Sequence, residues 1–285
     1  MGENIKAAEE KRKTVKPFLK WAGGKQQIVK LLLQCLPADV ENRTYREPFL
    51  GGGSLFFALQ PKKAILSDAN KHLIQCYKWV RDRPDLIAEY LQEHYKNNSE
   101  KYYYKIRELY NQSTNSTAQA ARFIYLNKAC FNGIFRVNKS GAFNVPYGKR
   151  QNPNLPNIHH LRDVSKVLAS AEFTAKAFEK ALEGVNKNDF IYLDPPYPPL
   201  NNTSCFTHYT CDKFMNKDQE RLAGVVRDLD TAGCLFMVSN AHTQKIRQLY
   251  RQFNISPLSV TRFITCKSVR RKVEELIITN YEVPL

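Results

Sequence analysis

A carboxylate, two prolines and an aromatic ring follow one another at Asp194-Pro195-Pro196-Tyr197, directly behind the apolar run Phe190–Leu193. Residues of these types in this order can activate a poor nucleophile. An exocyclic amino group on a nucleobase delocalises its lone pair into the ring. It attacks an electrophile more readily when both its hydrogens point at acceptors. Asp194 offers one acceptor as an ionised carboxylate, and the carbonyl of Pro195 can supply the other. Proline fixes its own φ and drives the preceding residue into an extended conformation, so two in succession hold the acceptors in place before a substrate arrives. Tyr197 can stack on the flat face of a base. The competing interpretation is a rigid Pro-Pro turn with a surface aspartate. What favours chemistry is the run in front: Phe190–Leu193 reads as a short buried strand, and ligands in open α/β sheets sit beyond the carboxyl ends of strands.

Other elements must position this turn. Phe18 to Lys25 ends in Gly23-Gly24-Lys25 and leads into an apolar helical run over 26–36. It is not a phosphate loop, because that loop needs glycine where Leu19 stands and Ser or Thr where Gln26 stands. A strand over Tyr45–Glu47, the glycine-rich turn Pro48 to Gly53 and a helix over Ser54–Leu59 come next. Glycines there let a ligand approach the backbone at a helix N-terminus. A second strand, Lys63–Ser67, ends in Asp68, 17 residues after Gly51. An acid at about that spacing binds ribose hydroxyls in nucleotide folds. The alternative for Asp68 is a structural cap on the helix predicted over 70–80.

With 285 residues and 43% hydrophobic content, the chain can form one large domain or one domain carrying an insertion. No apolar run approaches the roughly 18 residues of a membrane helix. The polar start has no secretory pattern and is expected to be a loose tail over 1–17. Seven scattered cysteines and six histidines form no metal spacing, so no metal and reduced thiols are expected. The net charge of +16 is unevenly placed. From Leu109 to Arg162 there are seven Lys/Arg and no acid, and from Thr231 to Val273 eight and no acid. Segments of this kind suit a polyanion.

Residues 71–156 read as an insertion between the two parts of a sheet domain, 18–70 and 157–285. Helices are predicted over 72–80, 84–96, 100–110 and 118–130. Then Phe131 to Arg150 alternates apolar residues with Asn, Arg and Lys around turn signals at Asn132-Gly133 and Lys139-Ser140-Gly141. That predicts a β-hairpin with groove-reading side chains. Beyond the insertion, a helix is predicted over 162–170, strands over 172–177 and 234–239, helices over 217–230 and 243–253, and a terminal hairpin of 261–265 and 273–281 with a basic connection at 267–272.

Five motifs in this order carry a resemblance over Phe18 to about Glu282: Trp21-Ala22-Gly23-Gly24-Lys25, the Pro48-Phe49 glycine turn, the Phe143-Asn144-Val145-Pro146 segment, Asp194-Pro195-Pro196-Tyr197 and the basic terminal hairpin. The chain resembles the Dam-type DNA adenine-N6 methyltransferases, the D12 class of the alpha-group amino-methyltransferases. The resemblance implies an α/β fold: a Rossmann-like class I methyltransferase sheet with an inserted helical and β-hairpin target-recognition domain. It implies S-adenosyl-L-methionine as donor, bound by Trp21, Lys25, Phe49, Gly51, Gly53 and Asp68. Phe178 would cover the cofactor adenine where relatives often carry tyrosine, and Asp194 would touch both donor and amine. The catalytic set is Asp194, Pro195, Pro196 and Tyr197, acting on a flipped adenine in double-stranded DNA at GATC. Lys20, Asn132, Ile134, Arg136, Asn138, Asn144 and Pro146 would read bases, and Lys128, Lys139, Lys149 and Arg150 would hold phosphates. A bacterial, cytoplasmic, monomeric protein held on the nucleoid through DNA is implied. Two other classes remain at this point: a methyltransferase acting on RNA or on a protein glutamine, and a non-catalytic DNA-binding protein on the same fold.

Overall fold

The computed structural model describes residues 14–197, 214–263 and 270–283, with no side-chain description over 260–273. The expected tail up to residue 13, Cys205, Cys211, Cys266 and residues 267–269 of the basic connection lie outside the described residues.

Seven strands form one sheet in the order β3-β2-β1-β4-β5-β7-β6. They are β1 (Thr44–Glu47), β2 (Ala64–Ser67), β3 (Ala171–Thr174), β4 (Asp189–Leu193), β5 (Leu235–Ala241), β6 (Asn254–Phe263) and β7 (Arg270–Thr279). The first five are parallel, and β7 runs antiparallel between β5 and β6. This is the Rossmann-like sheet expected. Strand order reverses between β1 and β4, so the glycine turn and the Asp194 turn leave neighbouring strands at the same edge.

The central strand β4 is buried throughout. Its side chains alternate between two cores. Phe190 and Tyr192 join a cluster with Tyr45, Phe56, Phe57 and Met237, and Ile191 and Leu193 join one with Leu222, Val226, Phe236 and Ile278. That period of two is what a strand covered on both faces requires. At the other end of β4, Asp189 is 2% exposed and ion-paired to Arg46 Nε at 2.8 Å, which secures β4 against β1 away from the site.

Helix α2 (Ser54–Leu59) follows the glycine turn, and α3 (Lys71–Asp82), α4 (Pro84–Lys96), α5 (Glu100–Gln112) and α6 (Thr117–Ala129) follow β2. Their starts obey simple rules. Asn70 caps α3 by accepting from His72 N and Leu73 N, Pro84 opens α4, and Ser99 and Ser116 cap α5 and α6. Helix α6 buries residues on nearly every face and is the axis of the insertion. The insertion and one face of the sheet share a hydrophobic cluster. The remaining helices are α7 (Ile158–Leu168), α8 (Phe178–Ala181), α9 (Asn216–Thr231) and α10 (Gln244–Leu249).

Three expectations are corrected. Helix α1 covers Val29–Gln34 only, because residues 26–28 form turns that place Lys25. Phe178 opens the short α8 instead of closing a strand, since β3 ends at Thr174. The predicted hairpin over 131–150 is antiparallel, but its pairing is reduced to two isolated bridges, Cys130 to Tyr147 and Val137 to Phe143. The bonds across the Val137–Phe143 bridge are made, Asn144 N to Arg136 O at 3.1 Å and Asn138 N to Ala142 O at 2.9 Å, and side chains bind the backbone groups on the outer edge. Asn111 binds both Phe143 N (2.8 Å) and Phe143 O (3.0 Å), and Tyr103 OH donates to Val145 O at 2.9 Å. Asn138 Oδ1 gathers Ser140 N, Ser140 Oγ and Ala142 N into a local turn.

Candidate active site and nucleic-acid interface

Asp194 leaves the carboxyl end of β4 and meets a buried cation. Lys25 Nζ lies 2.7 Å from Asp194 Oδ1 and 4.0 Å from Glu275 Oε2, over the ring of Tyr197 at 4.7 Å from its centroid. Gly23 O accepts from the same ammonium at 3.0 Å, so the Gly-Gly turn fixes where Lys25 points. Ser239 Oγ, on β5, donates to Asp194 Oδ1 at 2.7 Å. Two donors thus converge on Oδ1, and among the described residues none binds Oδ2. Burial raises the Asp194 carboxyl above its ordinary value, with Lys25 and the Ser239 hydrogen bond opposing the shift and the Glu275 charge adding to it.

The rest of the turn is held as firmly. Tyr197 OH donates to Glu275 Oε2 at 2.7 Å, which sets the plane of its ring. Pro196 O accepts from Gln219 Nε2 at 3.1 Å.

The glycine turn lies beside it. Gly51 has φ +48 and Gly53 φ +65, conformations that suit glycine. Asp68 Oδ2 accepts from Gly51 N at 3.0 Å and Oδ1 from Asn70 N at 2.8 Å. Asp68 therefore organises the turn, while Asn70 does the capping of α3. A carboxylate has acceptor capacity beyond two bonds. A Cβ on Gly51 would lie 2.8 Å from Trp21 Cδ1. Gly51→Ala is expected to cost about 1–2 kcal/mol for the left-handed backbone alone, and more because the indole must shift; urea unfolding of the two proteins measures it. On its other side Trp21 stacks near Phe135 (6.1 Å, 19°) and Phe123 (6.4 Å, 29°). Phe49 and Phe178 stack at 5.4 Å, with the Arg221 guanidinium 5.5 Å from the Phe178 ring.

Acids crowd this end of the sheet. Glu47 is 2% exposed and Glu275 1%. Burial pushes Glu47 well above the carboxylate range, Tyr45 OH bonds it at 2.8 Å, and the charges of Asp194 and Asp68 raise it further. Burial raises Asp68 as well.

The predicted DNA-facing residues gather elsewhere, on the loop 131–150 and the end of α6. Lys20 is tied through its backbone to Asn127, which accepts from Lys20 N at 2.8 Å and donates to Lys20 O at 2.7 Å. Its side chain lies over Gly133, where a Cβ would be 2.4 Å from Lys20 Cδ. Lys128 is pushed down to about 8 by burial and by the charges of Lys20 and Arg150, which places these three cations together. Arg136 is half-buried and aimed by Asn144, its Nε donating to Asn144 Oδ1 at 2.7 Å. Asn132 (φ +57) and Lys149 (φ +53) occupy left-handed positions at the ends of the loop. Asn138, Lys139, Pro146, Lys149 and Arg150 are exposed, and Ile134 is half-buried.

Sequence reasoning missed Ser239, Glu275, Gln219, Asn240 and Glu47 as members of this site. A signal existed for Ser239 and Asn240: each is a polar residue in the otherwise apolar strand β5, and a buried polar group requires a partner. Among the described residues, no group of three or more His, Cys, Asp or Glu could hold a metal ion, and no helix is long and apolar enough to cross a membrane.

Residues 21–264 match the family of D12 class N6 adenine-specific DNA methyltransferases. The chain is similar to the Type II methyltransferase M.MjaIII of Methanocaldococcus jannaschii, 43% identical over 94% of this chain and 99% of the relative. It is also similar to the Type II methyltransferase M1.LlaDCHI of Lactococcus lactis subsp. cremoris, 38% identical over 94% and 96%, and to the DNA adenine methylase of Escherichia coli, 32% identical over 91% and 93%.

Proposed function

Because the chain belongs to the D12 class of N6 adenine-specific DNA methyltransferases, we propose that it transfers the methyl group of S-adenosyl-L-methionine to adenine N6 at GATC in duplex DNA, with the target base flipped into the Asp194–Tyr197 turn. The observation that carries this reading is the division of labour on Asp194. Lys25 and Ser239 both bind Oδ1, and Oδ2 is left to accept a hydrogen from the amine. The Pro195 carbonyl takes the second hydrogen, which frees the nitrogen lone pair to attack. The Tyr197 ring, fixed by Glu275, stacks on the extruded base.

The residues present fit the donor. The Gly51–Gly53 turn packs its backbone against Trp21, and Asp68, which holds Gly51 N, keeps acceptor capacity for a further hydroxyl. The carboxylates of Asp68 and Asp194 suit a cationic molecule. S-adenosylmethionine, when bound, supplies an electrophilic methyl group on a positively charged sulfur. Trp21, Lys25, Phe49, Gly51, Gly53, Asp68 and Phe178 are the residues proposed to hold it. Lys20, together with the loop 131–150 of the recognition segment proposed as residues 71–156, reads the bases, while Lys128, Lys139, Lys149 and Arg150 contact phosphates.

The direct test is to incubate the protein with S-adenosylmethionine and a plasmid of mixed sequence and to map N6-methyladenine. Methylation confined to GATC is expected, and methylation centred on another sequence refutes the assignment.

The basic cluster adds a pH dependence with a definite sign. Lys128 has fallen from the model-peptide value of 10.5 to about 8, through burial first and then Lys20 and Arg150. Only its charged form attracts a phosphate. A phosphate that docks there raises the pKa again, so DNA binding takes up a proton. Affinity is full below pH 8 and declines above it, by about tenfold between pH 7 and 9 for one group of this kind. Fluorescence anisotropy of a labelled duplex across that range should show the decline. Lys128→Arg, charged at every pH used, should flatten it, and a wild-type curve already flat would rule out the phosphate role for Lys128.

A further inference from the structure

The Asp194 turn contains two prolines, and so lacks two of the backbone N–H groups that would otherwise hold a turn in shape. A relay of side-chain amides from outside holds it instead. Ala241 N donates to Asn240 Oδ1 at 2.8 Å, Asn240 Nδ2 donates to Gln219 Oε1 at 2.9 Å, and Gln219 Nε2 donates to Pro196 O at 3.1 Å. Gln219 and Asn240 are both 0% exposed.

The direction of this relay is fixed by its first donor. A backbone N–H can only donate, so Asn240 must present its oxygen to Ala241 and its nitrogen to Gln219. Gln219 must then present its oxygen to Asn240 and its nitrogen to Pro196. Reversing either amide sets donor against donor at one contact and acceptor against acceptor at another. The relay thus carries an orientation from the end of β5, through α9, to the carbonyl one residue beyond Pro195. The same strand end supplies Ser239, which holds Asp194 Oδ1.

We propose that Gln219 and Asn240 are positioning residues for the methyl transfer, holding the Pro196 carbonyl so that the Pro195 carbonyl and Asp194 Oδ2 present one fixed spacing to the target amine. This rests on the reading of the Asp194–Tyr197 turn as the catalytic one. Neither residue touches the substrate. A carboxylate Oδ2 and a carbonyl can accept the two amine hydrogens only at the separation the amine itself sets, and misplacement of reacting groups by about 1 Å can cost on the order of a hundredfold in rate.

Asn240→Asp tests the relay at constant shape. Assayed at pH values above its raised pKa, the ionised aspartate accepts from Ala241 N with one oxygen and from Gln219 Nε2 with the other, so position 240 stays satisfied. Gln219 must then turn its oxygen toward Pro196 O, and an attraction at the turn becomes a repulsion. Protonated, the aspartate would donate to Gln219 Oε1 and restore the relay, so the loss of kcat should appear as pH rises. Gln219→Met, similar in length but without a donor, removes the contact from the other side and serves if the aspartate variant does not fold. Active sites are counted by S-adenosylmethionine binding. The expected result is a kcat lower by roughly tenfold to a hundredfold, with dissociation constants for S-adenosylmethionine and duplex within twofold of wild type. A kcat within twofold of wild type in both variants overturns the proposal. So does a loss of kcat matched by equal losses in both affinities, which would mark a general structural role. Asp194→Ala, assayed alongside, separates the two readings. If it turns over normally, the catalytic assignment of the turn has failed. If it is inactive while the relay variants are normal, only the relay has failed.

Discussion

Asp194→Ala is expected to lower the single-turnover rate of methyl transfer by about 10²–10³-fold, or about 2.7–4 kcal/mol, with donor and duplex both saturating. Asp194→Asn is expected to be no better, although it preserves the shape of the side chain. Lys25 and Ser239 both donate to the Oδ1 position, so the amide oxygen must occupy it. The amide nitrogen then stands where Oδ2 was, and it presents hydrogens to an amine whose own hydrogens need an acceptor. The substitution also leaves Lys25, 5% exposed, without its closest counter-charge. Quenched-flow measurement of methyl incorporation compares the three proteins. A rate for Asp194→Ala near that of wild type would remove Asp194 from the reaction.

The second large effect falls on specificity. Arg136→Ala should relax discrimination at one base pair by about 1–3 kcal/mol, because a guanidinium bidentate to guanine O6 and N7 is the usual major-groove reader. The base pair assigned is the guanine opposite the final cytosine of GATC. Asn144 holds Arg136 at Nε (2.7 Å) and its backbone oxygen lies 3.4 Å from Nη2, so one edge of the guanidinium is oriented and the remaining donors are available to a base. Asn144→Ala should consequently relax the same position by a smaller amount. Lys149→Ala should instead weaken binding to every sequence and reduce its salt dependence. Mapping methylated sites in a mixed-sequence plasmid reads all three. An unchanged site preference in Arg136→Ala would show that another residue reads that guanine.

The elements whose signals are local were legible in the chain. Helix α2 at Ser54–Leu59 and α4 at Pro84–Lys96 fall where glycine, proline and apolar spacing put them. Strand β4 differs from its expected range only by including Asp189. The Asp194 turn could be read because its chemistry is contiguous in sequence. Its supports could not be read in the same way: Ser239 lies 45 residues away, Glu275 reaches Tyr197 across 78, and Gln219 reaches Pro196 across 23. Pairings at such separations follow from the strand order β4-β5-β7, which no local pattern encodes. The loop 131–150 was legible only in part. Its alternation of apolar and polar residues is that of a hairpin, and two antiparallel bridges form, but its outer edge is held by Asn111 and Tyr103 of α5, 32 and 42 residues from their partners. The resemblance implies Lys25 as a donor-binding residue, and its closest charged partner in the fold is Asp194, a pairing that no local pattern encodes.

Trp21 lies against Gly51 and also stacks near Phe135 of the loop 131–150. One aromatic plate is thus shared by the turn proposed for the donor and the segment proposed for the target. A ligand that immobilises the plate from one side reduces the entropy still to be lost when the other side is occupied. Thermodynamic linkage then makes the effect mutual: whatever factor the donor contributes to duplex affinity, the duplex returns to donor affinity. Through a single indole, the two substrates of the reaction have a route by which each favours the other's arrival, with no movement of the sheet.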